Sequence, residues 1–258
     1  MLLIVLAVAL AAMLLQPLQL AMVRVLEGGF PRWLGSGLAG KVQLRRKRRL
    51  EKKIQDEIDE VVRLNKPADA DRRNTSIQKA GAMSARLHSC FPIPDYLVRG
   101  TALGNALAAM EDSAGAAYGL DAVVTWPRLY PVLGDKVRAV VDDLRDGLDA
   151  AARLAVTGAL TAVAAVMLLV WHSGLLTLLA LAPLVVATLS YLGAVQAAIA
   201  YSTAMHVAFD LHRFDLLRAL RLAAPADQAN ENANNAALGN FLRQGVPVPF
   251  RYVDSGSA

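Results

Sequence analysis

The chain has 258 residues, of which 55% are hydrophobic and 19% are charged, and its 27 basic and 22 acidic residues give a net charge of +5. This composition is too apolar for an average soluble domain and too charged for a bundle made only of membrane spans. It predicts a membrane protein with a sizeable water-exposed part. The single cysteine, Cys90, excludes an internal disulfide.

Residues 2–23 form the first apolar run, interrupted only by Gln16, Pro17 and Gln19. A bilayer core about 30 Å thick needs about 20 helical residues, so this run predicts an N-terminal span. Basic residues follow the run and none precedes it, which places the N-terminus outside and the following chain in the cytoplasm. A cleaved secretory signal is the alternative. We assign residues 1–40 to this anchor and the interfacial segment after it.

Residues 41–53 contain eight basic residues and one acid. We name five of them the basic collar: Arg45, Arg46, Lys47, Arg48 and Arg49. Clusters of this kind beside a span contact anionic lipid headgroups, at about 1 kcal/mol per residue near the surface. Nucleic acid is a weaker alternative, because no aromatic residues are interleaved with the basic ones.

Acidic residues follow the collar, while apolar residues recur at helical spacing at Leu50, Ile54, Ile58 and Val61. This pattern predicts one amphipathic helix over residues 41–65. Pro67 then favours an end to the helix. The next residues are polar and lack a period, so residues 66–90 are predicted to be a linker.

Residues 91–133 are predicted to form an interfacial elbow. Thr101 can cap a short helix, which Gly119 can close in the left-handed conformation. In the apolar stretch that follows, Trp126 and Tyr130 favour the bilayer interface. With Arg128, they are therefore expected at the cytoplasmic headgroup level, and Asp121 is expected to pair with Arg128 or another neighbour. A soluble core segment is the alternative.

The segment TALGNALAAMEDSAGAAYGLDAVVTWPRLYPVL, residues 101–133, resembles a motif of uncharacterised membrane proteins of actinobacteria and cyanobacteria. Residues 15–30, LQPLQLAMVRVLEGGF, and residues 210–220, DLHRFDLLRAL, are similar to theirs as well. The likeness covers most of the chain. It implies membership of a membrane protein family and brings no assigned activity.

Residues 154–171 and 175–200 are two apolar runs joined by three small or polar residues. They predict a transmembrane helical hairpin, over residues 134–222 with its extensions, and a C-terminus in the cytoplasm. A buried helical pair inside a soluble protein is the alternative. Small residues four apart predict where the two helices approach closely: Gly158 and Ala162 in the first, and Gly193 and Ala197 in the second.

The helical pattern of the hairpin starts before the first run and continues after the second. We therefore expect both helices to extend into the cytoplasm as a stalk about 25 to 30 Å long. If the turn centres on Gly174, residues equidistant from it face each other. This register predicts three complementary pairs: Asp135 with Arg213, Arg138 with Asp210, and Asp142 with His206. Residues 223–258 are predicted to be a polar tail.

Catalytic candidates are few. His206 and Asp210 lie one turn apart, but the glutamate and second histidine of a zinc-protease helix are missing, and no cofactor motif occurs. Polar residues beside a membrane either serve a function or satisfy the local backbone. The polar candidates of this kind in residues 101–133 are Asn105, Glu111, Tyr118, Asp121 and Arg128.

The sequence thus predicts an all-α membrane protein with an N-terminal single span, a helical cytoplasmic segment and a long hairpin. We expect a non-enzymatic scaffold or effector module at the bacterial inner membrane that assembles with itself or a protein partner. One alternative is a membrane-bound hydrolase that uses Glu111, Asp121, His206 or Asp210. Another is a subunit of an oligomeric channel or transporter, although little charge lies within the spans.

Overall fold

A computed structural model describes residues 25, 26, 28, 36–64, 69–169, 178 and 180–252. The predicted first span lies outside the described residues. The described chain is helical and contains no strand. Its seven α-helices are α1 (Ser36–Arg63), α2 (Ala70–Cys90), α3 (Ala102–Ser113), α4 (Ala122–Leu129), α5 (Asp135–Leu169), α6 (Leu181–Ala219) and α7 (Gln228–Gln244).

Helices α1 and α2 pack along each other as an antiparallel hairpin, which we call the arm. Most of their buried and half-buried positions recur at alternating spacings of four and three, the repeat of a coiled coil. On α1 and the residue after it these are Gln43, Lys47, Leu50, Ile54, Glu57, Val61 and Leu64, and on α2 they are Ser76, Ala80, Met83, Leu87 and Cys90. The predicted amphipathic helix is therefore confirmed, with an earlier start. Ile58, however, is 42% exposed, and Glu57 occupies the seam instead.

The prediction of a linker over residues 66–90 is wrong, because α2 fills residues 70–90. Its seam residues near the start are small, as at Ser76 and Ala80, and the helix as a whole is polar. A seam of small residues produces little hydrophobic periodicity, so the helix becomes recognisable only when α1 is seen to cover it.

Helix α3 begins as predicted, with the Thr101 side chain accepting a hydrogen bond from the Gly104 amide at 3.0 Å. It ends earlier than predicted. Gly115, with φ +75°, turns the chain where a side chain would meet the Phe209 ring. Gly119, with φ +72°, closes the short 3₁₀ turn Ala116–Tyr118 that follows.

Helices α5 and α6 are continuous over 35 and 39 residues, as the predicted hairpin with extensions requires. They pack against each other, and α3 and α4 cover one side of α6. The core of the body formed by α3 to α6 lies along α6 from Ala194 to Leu216. Its fully enclosed residues there include Ala194, Ala198, Ala208 and Phe209.

The prediction of a polar tail over residues 223–258 is wrong for residues 228–244, which form α7. Asp227 caps this helix by accepting from the Asn230 amide at 2.7 Å, and Gly245, with φ +67°, ends it. Helix α7 packs against α4 and the turn at residues 116–118. Asn235 in α7 is 2% exposed and donates to the Tyr118 carbonyl at 2.8 Å.

Candidate functional site

Residues 154–167 of α5 and residues 178–192 in and before α6 carry large apolar side chains on their exposed sides. We call these two segments the apolar band. Both helices are long and apolar enough to cross a membrane. Within the described residues each segment extends about 20 Å along its helix. The exposed side chains are Leu154, Leu160, Val163, Val166, Met167, Leu178, Leu181, Leu184, Val185, Val186, Leu189 and Leu192.

The threonines of the apolar band hydrogen-bond to their own helices. Thr157 donates to the Arg153 carbonyl at 2.9 Å, Thr161 to the Thr157 carbonyl at 2.8 Å, and Thr188 to the Leu184 carbonyl at 2.9 Å. A hydroxyl that is satisfied within its helix loses little when hydrocarbon replaces water around it. These three exposed threonines are therefore compatible with a lipid environment.

The apolar band is bounded on α5 by a charged residue and on α6 by a contact with α3. Exposed Arg153 precedes it on α5, and Tyr191 and Leu192 close it on α6. The Tyr191 hydroxyl accepts hydrogen bonds from the backbone amides of Ala102 and Leu103, so α3 starts at this level. Residues 193–200, which the sequence assigned to a span, continue α6 beyond the band, and Ala194 and Ala198 among them are fully buried.

Only some of the small residues predicted to lie at the contact between the two helices pack closely. Gly158 lies against Ala187, and Ala162 is 7% exposed, as predicted for a tight helix crossing. The prediction for Gly193 is wrong, because nothing lies within 4 Å of the position that a Cβ would take there. Ala197 is half-buried, while its neighbours Ala194 and Ala198 are fully enclosed.

The stretch at residues 118–133 packs in the body, far from the apolar band. The Trp126 ring centroid lies 6.1 Å from that of Phe209 and 5.9 Å from that of Tyr130. Phe209 follows Leu192 by 17 residues, or about 25 Å of helix. The stretch therefore packs against the core of the body, and its predicted position at the edge of a membrane stays a prediction.

The three predicted stalk pairs do not form. Gly158 faces Ala187, and Gly134 faces the His212 ring. The midpoints of these contacts fall at residues 172–173, so facing residues are shifted by two to three positions from a register centred on Gly174. A shift of this size rotates a side chain to another side of its helix.

Each member of the predicted pairs for which the structure gives a contact has another partner. Arg213 Nε donates to Glu231 Oε1 at 2.8 Å. Arg138 donates to two carbonyls, those of Pro131 and Leu133, at 2.9 and 3.0 Å. Asp142 accepts from the Tyr130 hydroxyl at 2.6 Å.

His206 and Asp210 contact different residues. His206 Nε2 lies 3.1 Å from Ser113 Oγ, and its Nδ1 lies 2.7 Å from the Ser202 carbonyl. Asp210 accepts from the Tyr118 hydroxyl at 2.8 Å, and this hydrogen bond raises the pKa of Tyr118. Within the described residues, no group of three or more His, Cys, Asp or Glu side chains is placed to hold a metal ion.

The remaining polar candidates stabilise separate parts of the body. Asn105, which is fully buried, binds the backbone amide and carbonyl of Arg99 at 2.7 and 3.0 Å. Glu111 pairs with the Arg99 guanidinium at 2.7 Å. Asp121 caps α4 and forms an ion pair with Arg243 of α7.

Arg128, the last of these candidates, donates to the Val124 carbonyl within its own helix at 2.6 Å. Asp121 therefore pairs with a spatial neighbour and not with Arg128. The candidate residues do not converge on one catalytic geometry.

A polar cluster that the sequence did not reveal surrounds Arg213. Its guanidinium carbon lies 4.1 Å from the Tyr118 ring centroid and 4.3 Å from that of Phe214. Its partner Glu231 is 6% exposed. These residues line a cavity of about 400 Å³ together with the residues that start α7. Arg213 of α6 is paired with Glu231 of α7 and stacks on Tyr118 and Phe214. The cluster is therefore well suited to joining α7 to the body.

A sequence signal for α7 was present. Asp227 at the cap position and Gly245 just after Gln244 are the start and stop residues that helices favour. The partners of α7 had no comparable signal, because Asp121 and Arg243 are separated by 122 residues.

The basic collar contains one buried residue. Lys47 is 3% exposed, and its ammonium donates to the Ile93 carbonyl at 2.6 Å and to Asp95 Oδ1 at 2.7 Å. The prediction of a lipid contact is therefore wrong for Lys47. Arg45, Arg46 and Arg49 are exposed, as is Arg48, which lies 3.3 Å from Asp95.

Replacing Lys47 with glutamine is expected to destabilise the arm by about 1 to 2 kcal/mol, because the hydrogen bonds from the buried Lys47 ammonium to Ile93 and Asp95 are lost. Arg46→Gln, at an exposed neighbouring position, is the matched control and should change stability little. Chemical unfolding of the full chain in detergent, followed by circular dichroism, measures both. Equal losses would show that Lys47 has no special role.

The contact between Lys47 and Asp95 also makes the stability of the protein depend on pH. The hydrogen bond from Lys47 lowers the pKa of Asp95 below its ordinary value of 3.8. The contribution of Asp95 to stability is therefore present above that value and is lost as the pH falls through the lowered pKa. Asp95→Asn should remove this part of the acid dependence.

Comparison of the chain with protein family models, curated proteins and solved structures found no significant match.

Proposed function

We propose that the protein is a helical scaffold anchored in the bacterial inner membrane by the α5–α6 hairpin, and that it assembles there with itself or a protein partner. The apolar band carries this proposal. Two adjacent helices expose large apolar side chains over the same 20 Å, whereas the attached body has a buried apolar core of its own. Exposure of these side chains to water would be unfavourable, whereas their exposure to lipid hydrocarbon would not.

Two further features support insertion of the band in a membrane. Neither of its segments contains an Asp, Glu, Lys or Arg residue. Its threonines are satisfied within their own helices, as a span requires. The body, the arm and α7 would then lie on the cytoplasmic side, where the basic residues near the band are favoured.

A scaffold accounts better than a hydrolase for the polar residues of the body. Glu111, Asp121 and Asp210 each contact a different partner, and Asp121 and Glu231 tie α7 to the other helices. These contacts position helices relative to one another. The arm, which has only its two-helix seam as a core, presents most of its surface to solvent and is the part best placed to bind a partner.

Membrane insertion predicts a sharp labelling pattern. In a Cys90→Ser background, single cysteines at Val163 and Val186 should resist a water-soluble maleimide in intact membranes and react after denaturation, because lipid excludes the reagent. Cysteines at Asp146 on the body and at Gln228 at the start of α7, both exposed positions, are the controls. They should react in inverted vesicles and not in right-side-out vesicles.

Two outcomes would contradict the proposal. Reaction at Val163 and Val186 in intact membranes would mean that water reaches the band. Reaction of the two control cysteines in right-side-out vesicles would reverse the proposed orientation.

A further inference from the structure

The outer face of α1, opposite the seam with α2, carries charges of opposite sign on its two halves. Arg45, Arg48 and Lys52 lie on the half near Ser36, and Asp56 and Asp59 lie on the half near Arg63. All five are exposed. Helix α2 covers the other side of α1, so this face is accessible to a partner.

Most of these charges lack ion-pair partners in the described part of the chain. On the basic half, the ion pairs of α1 there involve only Lys47 and Arg48. On the acidic half, Asp59 accepts a hydrogen bond from Gln55 at 2.8 Å, and no ion pair of Asp56 or Asp59 is formed. The charges are thus available for an intermolecular contact.

We propose that the outer faces of α1 from two copies of this chain pair in antiparallel orientation, about a two-fold axis at Lys52. This inference rests on the proposed self-assembly and specifies the surface that mediates it. A two-fold contact must be self-complementary, because each copy contributes the same patch. A helix with one basic and one acidic half meets that requirement when the two copies run in opposite directions.

The coiled-coil repeat of α1 and the two-fold axis at Lys52 together define which residues of the two copies would meet. Residues equidistant from Lys52 face each other across the axis, which places Arg45 opposite Asp59 and Arg48 opposite Asp56. The same register places Val42 opposite Val62, and these valines are 49% and 73% exposed. Four ion pairs and two apolar contacts per dimer follow. A parallel dimer would instead place every charge against its like.

The contact would be weak and reversible. Lys52 meets its own copy, and Lys41 faces Arg63, so these positions repel. Exposed ion pairs contribute little individually and are screened by salt. Anchoring in one membrane raises the effective concentration of the arms, which allows a weak surface to act.

Symmetric disulfide formation tests the register. In full-length protein with Cys90→Ser, Lys52→Cys should form a covalent dimer under mild oxidation, because the two cysteines meet at the axis. Gln55→Cys is the matched control one turn away. In the antiparallel register its two copies lie about 9 Å apart along the helix axis, so this dimer should not form. Cross-linking at both positions would indicate parallel arms, and cross-linking at neither would remove the contact; either result overturns the proposal.

Charge reversal separates this contact from lipid binding by the same arginines. Arg45→Glu and Asp59→Arg should each abolish the Lys52→Cys cross-link, because each homodimer then pairs like charges. Mixing the two variants should restore it as a heterodimer, in which every Arg45–Asp59 position again holds opposite charges. A role in lipid binding alone predicts no such rescue, so failure of rescue would overturn the proposal. Protection of the band cysteines from maleimide would still stand in that case, since it does not depend on the arm.

Discussion

Replacing Gly158 with leucine is expected to force α5 and α6 apart and to lower the Tm of the detergent-solubilised protein by about 5 to 10 °C. A Cβ at this position would already lie 3.1 Å from the N, Cα and Cβ atoms of Ala187. Such contacts are tighter than ordinary van der Waals distance, and two of the three atoms belong to the backbone. The helices would have to separate, because backbone atoms cannot move aside as a flexible side chain can.

Gly193→Leu is the matched control for this substitution. Gly193 lies on the other helix of the hairpin, and a Cβ there meets nothing within 4 Å. The same change of residue should therefore leave the Tm nearly unchanged. Equal losses from Gly158→Leu and Gly193→Leu would show that the hairpin packs through another face.

Replacing Phe209 with alanine is expected to reduce the free energy of unfolding of the body by about 3 to 5 kcal/mol. Phe209 is fully buried, stacks near Trp126 and touches the turn at Gly115. The substitution would leave a cavity where α3, α4 and α6 meet, and these helices cannot all collapse into it. The lost transfer free energy and the cavity therefore add together.

The fluorescence of Trp126 can report this unfolding directly once Trp33 and Trp171 are replaced with phenylalanine. Leu211→Ala is the control, since Leu211 lies on the same helix and is 61% exposed. Its loss should be small. A loss for Phe209→Ala no larger than that for Leu211→Ala would contradict the packing described for the body.

Local features of the sequence predicted the helices well. Apolar runs and a helical period that continues beyond them indicated that α5 and α6 would each be unbroken. The Thr101 cap was also correct, because a cap depends on residues three positions apart. The basic and acidic halves of α1 were visible for the same reason.

Features that depend on a partner far away in the chain were predicted less well. Helix α2 was missed because its seam contains small residues that only α1 reveals. Trp126 and Tyr130 were assigned to a membrane interface by their amphipathic side chains, and the same side chains fit equally well against Phe209 and Asp142.

The sequence by itself determined that the chain forms long helices and that two of them have apolar segments of spanning length, because hydrophobicity and helical period are properties of neighbouring residues. Only the tertiary structure decided which residues face each other. The contact between Gly158 and Ala187 sets the register of the hairpin, and a shift of two to three residues moves Arg138 and Asp210 away from each other. Close packing at one glycine outweighs weak exposed charge pairs, which therefore take the nearest partners that the packed helices offer.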